Sequence, residues 1–230
     1  MKKPRELHVP LDSGAAVTAL VYEADSRPGA ALILAHGAGA GQQSPFMVQF
    51  ASALAALGID AITFNFPYTE QKRRIPDKRP LLEACYGAVI TTTRASLASA
   101  GQLLVIGGKS MGGRIATHVA AADPACPVAG LVLLGYPLHP PGRPAERRDA
   151  HLPAVGRPML VVQGSRDAFG TPQELEPVLS SLTPAATLHV VTGGDHSFKV
   201  SRSADQAGVY ADVQRTIADW IRKLQALGQA

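Results

Sequence analysis

The chain has 230 residues, 46% of them hydrophobic and 17% charged, and its net charge is +4. A chain of this length buries a large core without support from disulfides or metals, so a single domain over residues 1–230 is expected. Its two cysteines, Cys85 and Cys126, fit neither a zinc spacing nor a secreted disulfide framework. No apolar run approaches the ~20 residues that span a bilayer, and the N-terminal residues lack the apolar segment of a secretory signal. These features exclude a membrane-spanning or disulfide-stabilised secreted protein, and a cytoplasmic location is expected.

Short apolar runs alternate with amphipathic segments, the pattern of an α/β fold with a mostly parallel sheet and helices on both faces. The first segment, residues 6–23, alternates in polarity around Asp12-Ser13-Gly14 and predicts an antiparallel hairpin at the sheet edge. In chain order, strands are predicted at 16–23, 30–35, 60–64, 103–106, 131–134, 159–163 and 187–191. Helices are predicted at 46–57, 111–119 and 209–224, where apolar residues recur at helical spacing. The charged stretch 69–80 and the Pro-rich stretch 137–158 are predicted loops.

One strand-to-helix junction carries a serine flanked by glycines. Its sequence, Gly108-Lys109-Ser110-Met111-Gly112, matches the G-x-S-x-G nucleophile elbow. In that turn the serine projects from the sheet end and lies at a helix N-terminus, where free N–H groups stabilise developing negative charge. A phosphate-binding P-loop is a competing interpretation, but it requires glycine at position 103, which is Leu. A tight turn without chemistry explains the glycines but gives no reason for the serine.

A second strand runs into the glycine-rich segment His36-Gly37-Ala38-Gly39-Ala40-Gly41. The dinucleotide-binding fingerprint G-x-G-x-x-G fails here in both frames. We interpret the segment as one wall of an oxyanion hole, in which a backbone N–H near Ala38 joins that of Met111. His36 is interpreted as a side chain that braces this loop rather than as a base.

Two later strands lead to an acidic residue and a histidine. Asp167 follows the strand at 159–163, and His196 lies on a glycine-rich loop after the strand at 187–191. The chain order Ser, Asp, His is that of α/β-hydrolases, and the ends of parallel strands open on one edge of a sheet. Ser110, Asp167 and His196 are therefore the predicted catalytic residues. The alternatives are that Asp167 only caps the helix after Thr171 and that His196 is an ordinary loop histidine.

Several side chains beside these strand ends are candidates for substrate binding, with a core position as the alternative for each. They are Tyr68, Lys109, Tyr136, Phe169 and Phe198. Arg114, one turn into the helix after the elbow, is compatible with a surface cation. The segment 70–79 carries five basic and two acidic residues. A solvated loop is its simplest interpretation, attraction of an anionic substrate is the sharper hypothesis, and the lack of interleaved aromatic residues argues against nucleic-acid binding.

With these residues in place, the sequence resembles the α/β-hydrolase superfamily over nearly its whole length. Within it, the chain is similar to the Tex30/KANSL3-like group near the dienelactone hydrolase branch. The motifs that carry this resemblance are residues 65–68, 72–77, 82–86 and 108–114. The resemblance implies a small hydrolase, and it also implies a non-catalytic alternative because the group includes a chromatin-complex subunit. Dienelactone hydrolases use Cys as nucleophile, and since position 110 is Ser their substrate is not carried over.

Together the motifs predict hydrolysis of a small ester or related acyl bond. Ser110 attacks the carbonyl, His196 transfers its proton, Asp167 orients the imidazole, and N–H groups near Ala38 and Met111 hold the oxyanion. This chemistry requires no metal or organic cofactor. A small-molecule substrate, anionic under the sharper hypothesis, is the expected partner, without specific nucleic acid or membrane. The alternative is a hydrolase-fold protein that binds or scaffolds without catalysis. Only residues 137–158 stand where larger hydrolases insert a cap, so an open site is expected.

Overall fold

The computed structural model describes residues 2–25 and 29–228, so the predicted domain ends at residues 1 and 230 lie outside the described residues. Within them, eight strands form one sheet. The strands are β1 (Arg5–Pro10), β2 (Ala16–Tyr22), β3 (Ala31–Ala35), β4 (Asp60–Phe64), β5 (Leu104–Lys109), β6 (Gly130–Leu134), β7 (Met159–Gly164) and β8 (Thr187–Val191). Their order across the sheet is β1-β2-β4-β3-β5-β6-β7-β8. The β1–β2 and β2–β4 pairs are antiparallel and every other pair is parallel.

The helices connect the strands and cover both faces of this sheet. They are α1 (Pro45–Ala56), α2 (Pro67–Glu70), α3 (Arg79–Ser96), α4 (Ala98–Gln102), α5 (Met111–Ala122), α6 (Pro172–Ser180) and α7 (Gln206–Gly228), with a short 3₁₀ helix at Leu152–Val155. No helix in the described part of the chain is long and apolar enough to cross a bilayer.

The two faces of the sheet carry separate cores. On one face α1 and α7 pack against the sheet through residues such as Phe50 and Ile217. On the other face α3 and α5 bury Tyr86 and Ile115. Every residue of β3, β4, β5, β6 and β7 is therefore buried, which explains their continuous apolar sequences.

The structure confirms the predicted fold class, with an N-terminal antiparallel hairpin at the sheet edge and no large cap. Two differences from the predicted elements lie near the carboxyl edge of the sheet. β5 continues to Lys109, three residues beyond its predicted end, because the glycines before the elbow still pair with β6. The predicted loop at 69–80 contains the end of α2 and the start of α3, which begins at Arg79 with Pro80 in its first turn, a position that proline favours. The loop at 137–158 holds only the short 3₁₀ helix.

Strand register places four strand ends at one level of the sheet. Ala35 of β3 pairs with Gly108 of β5, and Lys109 pairs with Leu134 of β6. Gly164 of β7 pairs with Val191 of β8. The segments after β3, β5, β7 and β8 consequently emerge together at the carboxyl edge, where open α/β sheets form their sites.

Candidate active site

The turn between β5 and α5 holds Ser110 in a strained conformation. Ser110 has φ 52° and ψ −115°, a combination that costs a non-glycine residue about 1–3 kcal/mol. The turn also needs close backbone contact, because a Cβ on Gly108 or Gly112 would overlap the carbonyl oxygen of Ala35. The strained turn projects Ser110 from the edge of the sheet. This is the geometry of a nucleophile elbow.

A continuous hydrogen-bonded chain joins Ser110, His196 and Asp167. His196 Nε2 lies 2.8 Å from Ser110 Oγ, and His196 Nδ1 lies 2.7 Å from Asp167 Oδ2. Since an ionised carboxylate only accepts hydrogen bonds, Nδ1 carries the imidazole proton and Nε2 is free to accept from the serine hydroxyl. The Asp167 side chain is fully buried, whereas the imidazole is 21% exposed. The arrangement can deprotonate Ser110 when a substrate carbonyl approaches.

Asp167 is held by more groups than His196. Its Oδ2 also accepts from Gln163 Nε2 at 2.8 Å, and its Oδ1 accepts from the Phe169 N–H at 2.8 Å. The N-terminus of α6 is capped instead by Thr171 and Glu174 in a capping box. Asp167 is therefore free of any capping role at that helix, and its carboxylate is oriented toward the imidazole.

Gln163 is a supporting residue that the sequence motifs did not single out. It is fully buried at the end of β7. Besides Asp167, its Nε2 donates to the Gly170 carbonyl at 2.7 Å and its Oε1 accepts from the Tyr136 N–H at 2.8 Å. One side chain thus ties together the segments after β6 and β7. The available signal was a glutamine in an otherwise apolar buried strand, because such a group must find partners inside the protein.

The loop that carries His196 is fixed by its neighbour Asp195. Asp195 Oδ1 accepts from the N–H groups of Ser197 and Lys199, at 2.8 and 2.9 Å. A Cβ on Gly164 would overlap the Asp195 carbonyl oxygen, so β7 and this loop are in close backbone contact. Asp195 therefore shapes the loop while Asp167 contacts the imidazole.

The loop after β3 lies beside the nucleophile and is braced by His36. A Cβ on Gly37 would lie 3.6 Å from Ser110 Cβ. The buried His36 ring accepts from the Phe66 N–H through Nε2 at 3.2 Å and donates to the Gly37 carbonyl through Nδ1 at 2.8 Å. Burial lowers the His36 pKa below its usual value. A neutral imidazole thus sets the path of the chain into Ala38, as a brace rather than as a base.

Two backbone N–H groups near Ser110 are available to an oxyanion. Met111 begins α5, so its N–H has no partner inside the helix. Among the described residues, neither the Ala38 N–H nor the Met111 N–H donates a backbone hydrogen bond. Both residues line the cavity in front of Ser110. These are the two positions that the sequence motifs indicated for an oxyanion hole.

Lys109, the residue before the nucleophile, buries its amine behind the site. Its Nζ is buried and has no hydrogen-bond partner among the described residues, and it lies 5.9 Å from the centroid of the Phe198 ring. Burial lowers the pKa of Lys109 to about 8, although Asp167 and Asp195 partly oppose the shift. A Cβ on Gly135 would lie 2.9 Å from this Nζ and 3.3 Å from His196 Nδ1. Lys109 Nζ and the imidazole therefore both pack against the side of Gly135 to which a Cβ would point.

The predicted substrate-binding side chains occupy two kinds of position. Phe169 lines the cavity, with its ring centroid 4.2 Å from that of His196, and Lys109 lines it too. Tyr68, Tyr136 and Phe198 are instead buried and are not among the described residues that line it. The Tyr68 hydroxyl donates to the Ala38 carbonyl and the Tyr136 hydroxyl donates to the Arg148 carbonyl. These three aromatic residues are part of the core beneath the loops and not of the cavity lining.

The cavity in front of Ser110 has a volume of about 830 Å³, within the range of small-molecule sites. Its lining includes Gly37, Ala38, Ser110, Met111, Phe169 and His196. No group of three or more His, Cys, Asp or Glu side chains in the described ranges could hold a metal ion. Cys85 and Cys126 are both buried and free.

The fold and this geometry agree with what a family comparison shows. Residues 28–222 match the family described as alpha/beta hydrolase domain. The chain belongs to that family. The match does not reach the finer Tex30/KANSL3-like grouping, which stays a prediction.

Solved structures of the same fold have low sequence identity to this member of the family. A serine hydrolase without a lid from Xanthomonas campestris is 20% identical, with a TM-score of 0.73 over 96% of each chain. A dienelactone hydrolase from Anabaena variabilis is 20% identical, with a TM-score of 0.73 over 96% of this chain and 99% of that one. An esterase domain from Rhodothermus marinus is 15% identical, with a TM-score of 0.72 over 96% and 99%. At these identities the likeness shows the fold.

Proposed function

We propose that this protein is a serine hydrolase of esterase type that acts on a small ester or related acyl substrate. The observation that carries the proposal is the hydrogen-bonded chain from Ser110 through His196 to Asp167, built on a strained elbow that opens into a cavity. A nucleophile, a base within 2.8 Å of it and a group that orients the base are what covalent acyl transfer needs.

Acylation begins when Ser110 Oγ attacks the substrate carbonyl carbon. As the Oγ–C bond forms, the hydroxyl proton passes to His196 Nε2, 2.8 Å away. Asp167, bonded to Nδ1, stabilises the imidazolium that results. When the tetrahedral intermediate collapses, the bond from the carbonyl carbon to the leaving oxygen breaks, and His196 gives its proton to the departing alcohol. The products of this half-reaction are the alcohol and an acyl ester of Ser110.

Deacylation repeats these steps with water. His196 Nε2 takes a proton from a water molecule as the water oxygen attacks the acyl carbonyl carbon. When this second intermediate collapses, the bond from that carbon to Ser110 Oγ breaks, His196 returns the proton to Oγ, and the carboxylic acid leaves. In both halves the negative charge on the carbonyl oxygen is stabilised by the N–H groups of Ala38 and Met111. Removing one such donor costs about 2.7–4 kcal/mol in other enzymes. Every proton in the cycle thus moves between Ser110, His196, substrate and water.

Turnover of a neutral activated ester by Ser110→Ala tests this proposal. With 4-nitrophenyl acetate, we expect kcat to fall by at least about 10⁴-fold, because the covalent path is lost while the remaining groups still act on a bound substrate. Ser203→Ala is the matched control, since Ser203 is exposed and lies away from the cavity lining. Equal rates for Ser110→Ala and the wild type would refute the proposal and favour a non-catalytic role for the fold.

A further inference from the structure

Three arginines form one end of the cavity, and we call them the arginine wall: Arg79, Arg114 and Arg148. Arg79 begins α3 and Arg114 lies on α5, so both belong to the layer on one face of the sheet. Arg148 comes from the loop after β6. The Arg114 N–H donates to the Ser110 carbonyl at 3.1 Å, which places this arginine one helical turn from the nucleophile.

Two of these guanidinium groups have no side-chain partner within the described part of the chain. Neither Arg114 nor Arg148 makes a side-chain ion pair or hydrogen bond there, and Arg114 Nε is buried without a partner. Arg79 pairs with Glu83 at 3.1 Å. Burying an unpaired cationic donor is costly. Arg114 is half-buried and its Nε is fully buried, so an anion bound to it would offset part of that cost.

The groups around the wall compensate its charge only in part. Asp77 also lines the cavity. Its Oδ1 is held by Arg73 at 2.6 Å, and its Oδ2 is buried without a hydrogen-bond partner among the described residues. Burial, followed by the charges of neighbouring side chains that include Arg114 and Arg79, lowers the pKa of both His118 and His151 to about 4. These two rings stack with centroids 3.6 Å apart and are neutral near pH 7. Burial and the nearby Arg148 lower the pKa of Arg114 itself, with smaller effects from Tyr136, Arg79 and Glu83.

The part of the cavity that the other layer lines, which we call the apolar end, carries mainly apolar side chains, together with Gln49 and Lys199. Phe46 and Met47 of α1 and Tyr210 of α7 line it. The Phe46 and Tyr210 rings meet edge to face with centroids 5.9 Å apart. Ser110 and His196 lie between an apolar end and a cationic end, so the cavity distinguishes the two sides of a bound molecule.

We propose that the arginine wall binds an anionic group of the substrate, a carboxylate or a phosphate, while the apolar end holds the part across the scissile bond. This rests on the proposed function in that the scissile bond is placed at Ser110. Arginine suits the task because its planar donor fork pairs with two oxygens at once. A hydrogen bond to a charged group contributes about 1.5–3 kcal/mol, or roughly 10- to 150-fold in affinity or rate.

Matched pairs of anionic and neutral esters test the wall. One pair varies the acyl side, 4-nitrophenyl hydrogen glutarate against 4-nitrophenyl pentanoate. The other varies the alcohol side, 3-acetoxybenzoate against 3-acetoxybenzamide. The measured quantity is the ratio of kcat/KM for the anionic ester to that for its neutral partner. In at least one pair we expect Arg114→Gln to lower this ratio by about tenfold or more, and Arg114→Lys to restore part of it.

Arg143→Gln is the control, because it removes the same charge from the same loop as Arg148 but lies outside the cavity lining and pairs with Glu146 at 3.0 Å. It should leave both ratios within about twofold of the wild type, as expected for an exposed charge. The proposal is overturned when Arg114→Gln leaves both ratios unchanged, or when Arg143→Gln lowers them equally.

Measurements of anion binding distinguish a failure of the arginine-wall proposal from a failure of the proposed catalytic function. Calorimetric titration of glutarate and of inorganic phosphate into the wild type and into Arg114→Gln/Arg148→Gln does not depend on turnover. Binding to the wild type that weakens by about tenfold or more in the double variant supports the wall even when no ester is hydrolysed. The tighter of the two anions identifies carboxylate or phosphate as its ligand. If the wild type binds neither anion and the ester ratios do not change, the arginine-wall proposal is overturned. The proposed role of Ser110 is unaffected by that result.

Discussion

Two sets of polar groups face the same cavity, and they differ in how their hydrogen bonds are satisfied. The triad floor, Ser110, His196 and Asp167, is bonded internally from end to end. In the arginine wall, Arg114 and Arg148 have no side-chain partner within the described chain. Satisfied groups are fixed before a substrate arrives, which suits chemistry. Unpaired cations that line the cavity of the nucleophile suit recognition of a charged ligand. Lys109 shares features of both sets, because it lies beside the triad floor but its Nζ, like the Arg114 and Arg148 side chains, has no partner within the described chain.

Replacing Asp167 with Asn is the change in the triad floor for which we expect the largest effect on activity. The amide presents a donor as well as an acceptor to His196 Nδ1, so the imidazole can place its proton on Nε2 and lose the ability to accept from Ser110. We expect kcat for a neutral ester to fall by about 10⁴-fold, the size known for this change in a serine protease. Unfolding should also become easier, because the amide NH2 that replaces Asp167 Oδ2 faces the Gln163 Nε2 donor. Stopped-flow and steady-state kinetics measure the change in kcat. A loss below about tenfold would show that Asp167 does not orient the base.

Replacing Gln163 with Leu removes the buried hydrogen bonds that support the triad floor. The change leaves the Tyr136 N–H and the Gly170 carbonyl without the partner that Gln163 supplies, and removes one bond from Asp167. At about 1–3 kcal/mol for each buried group left unsatisfied, we expect unfolding to become easier by about 4 kcal/mol. Urea denaturation measures it, with the exposed Gln43→Leu as control. A difference under about 1 kcal/mol would mean that these groups find other partners.

Replacing Lys109 with Met tests the opposite expectation, that removing an unsatisfied charge stabilises the protein. The pKa of Lys109 falls from 10.5 to about 8 on burial, so the unfolded chain binds a proton more readily than the folded protein. The wild type carries the full cost of that charge below about pH 8, and the cost disappears as the pH rises toward 10.5. We expect Lys109→Met to be more stable by about 3 kcal/mol near pH 7, with the gain shrinking between about pH 8 and 10.5.

Urea denaturation of wild type and Lys109→Met at several pH values measures this difference. Lys223→Met, on the exposed side of α7, is the control and should show no such trend. A gain that stays constant with pH would trace the effect to packing rather than to the buried charge.

The residues of the triad floor could be predicted from the sequence because each of them follows a strand. The order of strands and motifs predicted that Ser110, Asp167 and His196 emerge at one edge of a parallel sheet, and the structure brings these side chains together there. Their contact depends on backbone topology, which the alternating pattern of strands and helices conveys. Their catalytic roles stay a proposal until they are measured.

The residues that the sequence did not place depend on side-chain direction. Tyr68, Tyr136 and Phe198 follow strands as the triad residues do, yet the conformations of the turns direct them into the core. Gln163 belongs to an apolar strand, so its position reveals a buried amide but not its partners. Arg114 was compatible with a surface cation, although its spacing of four residues from Ser110 indicates the same helix face. The arginine wall also includes Arg148. The loop that carries Arg148 has no regular sequence pattern from which its path could be predicted.

Covalent labelling of Ser110 tests the central claim most directly. A fluorophosphonate labels a serine efficiently only where a base removes its proton and N–H groups donate hydrogen bonds to the developing oxyanion. Peptide mapping by mass spectrometry should place a single adduct on Ser110 in the wild type, show none in Ser110→Ala, and show slow formation in Asp167→Asn. Absence of the adduct from folded wild-type protein at neutral and alkaline pH, or its presence on another residue, would contradict the account.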